Sequence, residues 1–185
     1  MIVYIIVILA VVIIAGWFVS AYNRFIVLKN QGEEAASQID AHLKQRFDLV
    51  PNLVETVKGY AKHEKETLDA VITARNSAMN ATGIEAKDAA DKGLTASLKS
   101  LFALAEAYPD LKANEGFVSL QKQLSDIETQ ILSARKYYNG VVKAFNTSLQ
   151  TFPSSIVAGI FASKFTKLPY LQIDEAERQN VKVQF

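Results

Sequence analysis

Residues 117–149 read FVSLQKQLSDIETQILSARKYYNGVVKAFNTSL. Within them Phe117, Leu120, Leu124, Ile127, Ile131, Ala134, Tyr138, Val141, Phe145 and Leu149 recur at steps of three and four. A period of about 3.5 keeps one apolar seam facing a partner and favours long helices packed at shallow angles. Several such heptads make roughly 40–50 Å of helical rod, and one rod cannot bury its own stripe. Two further stretches carry the same pattern and supply the partners. One is Ile39, Leu43, Phe47, Val50, Val54, Val57, Ala61, Leu68 and Val71 or Ile72; the other is Leu94, Leu98, Leu101, Ala105 and Tyr108.

Turn signals divide the rods. Pro51 interrupts the first repeat without shifting its phase; it lacks a backbone donor and crowds the carbonyl of Phe47, which predicts a kink or brief break. Asp48 is placed to cap a helix restarting there. Asn80-Ala81-Thr82-Gly83 reads as a helix stop and turn. Tyr108-Pro109-Asp110 makes the next turn, since the residue before a proline is pushed out of the helical region. Thr151-Phe152-Pro153 ends the last rod. The expected helices are roughly 22–50, 52–79, 87–107 and 111–150.

Upstream of these rods, residues 1–23 carry no charged side chain, and Arg24 is the first. Ile2 to Ala21 are nearly all aliphatic or aromatic, and about 20 such residues span a hydrocarbon core of roughly 30 Å. A cleaved signal peptide is the competing reading, with Val19-Ser20-Ala21 as a tolerable cleavage context. It lacks the usual basic start, however, because no Lys or Arg precedes residue 24. A buried core helix of this length would also show a polar face. Trp17 and Tyr22 stand where an interfacial aromatic belt is expected, and Arg24 and Lys29 follow them. The expectation is a single-pass protein of the cell (inner) membrane, for which the positive-inside rule predicts an outside N-terminus and a cytoplasmic helical domain.

Beyond Pro153, Ser154-Ser155 start a short helix bearing Ile156, Val157, Ile160, Phe161 and Phe165, with Lys164 and Lys167 nearby. It either folds back on the bundle or lies amphipathically on the membrane surface. The candidate membrane-interface residues are therefore Trp17, Tyr22, Arg24, Ile156, Ile160, Phe161 and Phe165. Residues 173–185 read as an extended tail. The expected fold is all-α: an anchor over 1–22, a long antiparallel up-and-down bundle over 23–152, and a short helix with tail over 153–185.

Several chemistries are disfavoured. Net charge is +1 and no concentrated basic face appears, so nucleic acid is not an expected partner. Cysteine is absent, which removes disulfides, thiolate sites and cysteine nucleophiles. The only histidines, His42 and His63, follow Ile39 and Tyr60 by three, so neither forms the Glu-x-x-His pair of a di-iron bundle. Both histidines are expected to face solvent. His63-Glu64 has no second histidine to make a zinc-protease motif, and no Gly-x-Ser-x-Gly elbow or phosphate-binding glycine loop is present. No catalytic residue, metal or cofactor is expected. One polar constellation stands out: Glu128, Arg135, Asn139 and Asn146 share a stripe beside the apolar seam of the third rod. It reads as a structural hydrogen-bonding network fixing helix register, or as a contact between protomers, with Asn52, Glu55, Arg75, Glu106 and Asn114 as available partners.

The same stretches carry a family resemblance. Tyr22-Asn23, Ile39-Asp40 with Leu43, RFDLVPNLVETVKGYAKHE (46–64), ALAEAYPDLKAN (103–114), ARKYYNGVVKAFN (134–146) and FPSSIVA (152–158) closely resemble the LemA family. Gln45 departs from it, standing where the family often has a second basic residue before the arginine. The resemblance implies an N-terminal membrane segment and long antiparallel helices, and leaves biochemical activity open. The expected function is a membrane-anchored scaffold that self-associates and organises or remodels the bilayer, with lipid and further copies of itself as partners. An adaptor for another membrane protein is the alternative, and an enzyme ranks last.

Overall fold

The computed structural model describes residues 1–172. These form six helices and no strand: α1 (Ile2–Tyr60), α2 (Lys65–Asn80), α3 (Ile84–Ala105), α4 (Pro109–Lys112), α5 (Glu115–Gln150) and α6 (Ser154–Ile160). The all-α expectation holds. The extended tail expected over 173–185 lies outside the described residues.

Pro51 does not break the chain. It lies inside α1, which runs from the apolar segment through the first heptad stretch as one helix of 59 residues. The reason is local. Proline leaves the carbonyl four residues back, that of Phe47, without its helical donor. Arg75 of α2 replaces it, its Nε donating to the Phe47 oxygen at 2.7 Å. Asp48 caps nothing and instead pairs with Lys44 at 2.6 Å on an exposed face. Arg75→Ala should therefore cost about 1.5–3 kcal/mol, the range for a hydrogen bond to a charged group. In a Pro51→Ala background the restored N–H serves Phe47, and the cost should fall below about 1 kcal/mol. Denaturant titration of the double-mutant cycle checks this, and equal costs in both backgrounds would contradict it.

The actual turn comes at Ala61–Glu64. There the Tyr108 hydroxyl donates to Glu64 at 3.0 Å, which raises the Tyr108 pKa above its ordinary value. Asn114 closes the same end of the bundle. Its Nδ2 donates to the Tyr60 hydroxyl, and its Oδ1 caps α5 by accepting from the Phe117 N–H at 2.9 Å. The α2–α3 turn falls where expected, with Gly83 at φ +84°, a conformation that suits a residue without Cβ. α3 starts at Ile84 instead of 87. The expected 111 start of the last rod becomes two elements, because Pro109 opens the one-turn α4 and Asn114 then initiates α5.

The chain divides into two compact units. Ser37–Arg135, with Leu171 and Gln172, form one; Met1–Ala36 and Lys136–Tyr170 form the other. This grouping cuts α1 and α5 and does not follow the three-segment expectation, because residues after α6 pack on the early part of α1.

The first unit is a four-helix, up-and-down bundle of α1, α2, α3 and α5. Its core is the heptad seam: Leu43, Val50, Val57, Val71, Leu94, Leu98, Leu101, Leu124 and Ile131 are all buried. Each such side chain contributes about 1.5–3 kcal/mol relative to exposure. Ile72 is the exposed member of the Val71/Ile72 pair. In the second unit Phe25, Phe145, Val157, Ala158 and Phe165 form a core bordered by Trp17, Phe18, Tyr22, Leu149, Phe161 and Leu168. Residues 2–16 of α1 are exposed. This helix is long and apolar enough to cross a membrane, and none of its apolar window is buried.

Candidate functional site

The densest polar chemistry lies inside the four-helix unit. Arg46 of α1, Asp88 and Asp91 of α3, and Arg135 of α5 are all buried, with Asp91 at 0% exposure. Arg46 Nη1 donates to Asp91 Oδ1 at 2.8 Å, and Arg135 Nη2 donates to Asp91 Oδ2 at 3.1 Å. One carboxylate thus bridges two guanidiniums from different helices. Glu128 meets Arg46 Nη1 at 2.8 Å, and Asp88 meets Arg135 Nη2 at 2.8 Å. These two contacts are ion pairs without hydrogen-bond alignment. Lys92 lies 3.6 Å from Asp88, so three cations offset three carboxylates. The Nε atoms of Arg46 and Arg135 are buried without a partner among the described residues.

Charges taken out of water this completely are costly unless each keeps its counter-ion, so the cluster acts on geometry. A one-residue slip of any of the three helices would strand a charge in the core. A cavity of about 610 Å³ opens beside it, lined by Arg46, Lys99, Phe102, Ser125, Glu128 and Arg135 among others. No group of three or more His, Cys, Asp or Glu side chains able to hold a metal lies among the described residues. His63 is exposed, whereas His42 is half-buried with its Nδ1 3.4 Å from Gln45 Oε1, so full solvation holds for one of the pair.

The expected stripe on the last rod is split. Glu128 and Arg135 join the charge cluster, while Asn139 and Asn146 belong to the other unit. The anticipated partners are not the ones used. Glu55 pairs with Lys58, Glu106 with Lys112, Arg75 binds the Phe47 carbonyl, Asn114 caps α5, and the Asn52 carbonyl accepts from Thr56. Arg46, Asp88 and Asp91 were the missing members. The phase of α3 carries a signal for them: stepping back from Leu101, Leu98 and Leu94 by three lands on Asp91, a charge at a seam position.

In the second unit Asn146 is buried and grips the chain after α6. Its Nδ2 donates to the Leu168 carbonyl at 2.8 Å, and its Oδ1 accepts from the Leu168 N–H at 3.0 Å. Tyr138 adds a bond from its hydroxyl to the Pro169 carbonyl at 3.1 Å. Asn146→Ala should cost about 1–3 kcal/mol by stranding both Leu168 groups. The check is hydrogen exchange at the Leu168 amide, which should accelerate in the variant; unchanged protection would contradict the role.

The membrane-interface candidates fall into two groups. Ile156 and Ile160 are exposed, as is Arg24, and Trp17 and Tyr22 are half-buried. Phe165 is a correction: at 5% exposure it packs on Phe25 and Tyr22 with ring centroids 5.1 and 5.5 Å apart, and has no free face for lipid. Phe161 is half-buried against Tyr22 and Phe18. Lys164 lies over the Tyr22 ring, 5.0 Å from its centroid. Of the two placements for this segment, the fold-back on the helices is the one the contacts describe, through Val157, Ala158 and Phe165.

Comparison with known proteins agrees with the resemblance. The LemA family model matches residues 35–185. Protein LemA of Metamycoplasma hominis is 25% identical over 174 residues, covering 88% of this chain and 78% of that protein. The Tyr22-Asn23 motif precedes the residues matched by the family model.

Proposed function

The chain belongs to the LemA family, and from that premise we propose that it is a membrane-anchored helical scaffold, without enzymatic activity, that self-associates and organises the bilayer. The observation that carries the reading is the start of α1. Large aliphatic side chains from Ile2 to Ile14 stand 54–74% exposed, on every side of the helix, with no surface among the described residues covering them. A soluble protein rarely leaves so large an apolar area in water. Lipid is the solvent that suits a helix with all its backbone groups satisfied internally. Arg24 and Lys29, just past the uncharged run, favour a cytoplasmic position for the helices that follow.

Self-association draws support from apolar groups displayed on the later helices. Val118 and Tyr137 of α5, together with Ile72 and Met79 of α2, are 40–53% exposed. The buried charge cluster fits a structural role, since it fixes helix register and presents no nucleophile–base pair.

The test is particle mass of the full chain in lipid discs or mild detergent, combined with crosslinking. A scaffold gives assemblies several times the 20.4 kDa chain mass, crosslinked chiefly to itself. A strictly monomeric particle would overturn self-association, and crosslinks directed at one other membrane protein would favour the adaptor alternative.

A further inference from the structure

The second unit contains a cavity of about 620 Å³ between one face of early α1 and one face of late α5. Trp17, Ser20 and Arg24 line it from α1, Lys143 and Thr147 from α5, and Phe152 from the turn after α5. We infer that this cavity binds the phosphate headgroup of an anionic membrane lipid, held by Arg24 and Lys143.

Charge is the first ground. Arg24 and Lys143 are cations, the lining contains no Asp or Glu, and neither cation has a carboxylate partner among the described residues. Both cations are exposed, and both line the same cavity. An anion satisfies them. A zwitterionic headgroup would bring an ammonium for which the site has no acceptor of opposite charge, and this selects an anionic lipid.

Hydrogen-bonding capacity is the second. The hydroxyls of Thr151 and Ser154 already donate to backbone carbonyls. Those of Ser20 and Thr147 have no partner among the described residues and remain available to phosphate oxygens. Space is the third. Gly140 lines this volume, and a Cβ built there meets no atom within 4 Å. The volume lies within the roughly 300–1,000 Å³ typical of small-molecule sites.

Position is the last ground, and here the assignment rests on the membrane-anchored reading. Trp17 to Asn23 end the uncharged run and Arg24 follows, the level at which an embedded helix meets headgroups. Phe152, 78% exposed, and Trp17 present apolar faces beside the two cations. That combination matches a headgroup with its first acyl carbons, whereas free phosphate would leave the aromatic side unused.

The experiment uses the full chain and begins with flotation on pure phosphatidylcholine vesicles. Failure to float overturns the membrane reading and this assignment with it. Floating protein is then released into mild detergent, and lipid retention is measured by native mass spectrometry with phosphatidylglycerol, phosphatidylcholine or inorganic phosphate. Retention of phosphatidylglycerol should exceed phosphatidylcholine by about tenfold or more, the scale expected for two near-surface cations. The doubly substituted Arg24→Gln/Lys143→Gln chain should lose that preference. Gly140→Leu, which improves helix propensity while filling the cavity, should abolish retention with the fold intact. Equal retention of both lipids by a floating wild-type chain overturns the headgroup site alone. Inorganic phosphate displacing the lipid at equal concentration identifies a free-anion site and overturns the lipid assignment.

Discussion

Asp91→Ala should lower the stability of the helical bundle by about 3–5 kcal/mol, the cost of removing one partner from a buried ion pair. The size follows from what the substitution leaves behind. Among the described residues Asp91 alone is hydrogen-bonded to both Arg46 and Arg135, and each buried guanidinium has an Nε without a partner there. The remaining partners cannot compensate equally. Glu128 has a side chain 34% exposed, so its hold on Arg46 is weakened by solvent, while Asp88 is shared with Lys92. Truncating Glu128 to Ala should accordingly cost less than truncating Asp91. Replacing Arg46, Asp88, Asp91 and Arg135 together by Met, Leu, Leu and Met should return stability close to wild type, because apolar side chains avoid the desolvation penalty and the two partners left, Glu128 and Lys92, reach solvent. Denaturant unfolding followed by circular dichroism measures all of these. A cost for Asp91→Ala below about 1 kcal/mol would mean that water reaches the cluster. The quadruple variant then separates stability from register: a stable bundle with altered helix pairing is expected, because the charges specify alignment.

The second large effect concerns the start of α1. Thirteen of residues 2–21 are Ile, Leu, Val or Phe, each favouring insertion by roughly 0.3–0.6 kcal/mol at the bilayer centre. An Asp near the middle opposes it by about 2.5–3.5 kcal/mol. Ile8→Asp with Val12→Asp should therefore cancel most of the insertion energy and move the chain from the membrane fraction to the soluble or aggregated fraction. The bundle begins after Ala36, distant in sequence from both positions, so its helical signal should persist. Retention of the doubly charged variant in carbonate-washed membranes would show that other surfaces hold the protein to lipid.

Periodicity carried most of the fold. Ile39, Leu43, Leu94, Leu98, Ile131 and Phe145 are buried as their three-and-four spacing requires, because that spacing reflects a single physical demand, a continuous covered stripe. The helix breaks were less legible. Pro51 looked like a boundary because its effect on an isolated helix is local, yet the donor missing at Phe47 is supplied by Arg75, 28 residues after Phe47. No local rule anticipates that. The polar stripe was half readable: Glu128, Arg135 and Asn146 do make long-range contacts, but their partners come from α1, α3 and the chain after α6. Asp91 could have been found by extending the α3 seam one step back, where a charge at an apolar position signals a buried counter-ion. Phe165 was misplaced because amphipathic spacing cannot distinguish a face turned to lipid from one turned to Phe25 and Tyr22. The cavity bearing Arg24 and Lys143 was not legible at all, since it brings together residues more than a hundred positions apart.

The proposed scaffold depends on the first residues remaining in the bilayer. Intact-mass measurement of the chain recovered from carbonate-washed membranes tests this most directly. A 20.4 kDa species retaining Met1 to Ala21 and confined to the membrane pellet is the result the account predicts. A shortened species starting near Tyr22, found in the soluble fraction, would contradict it.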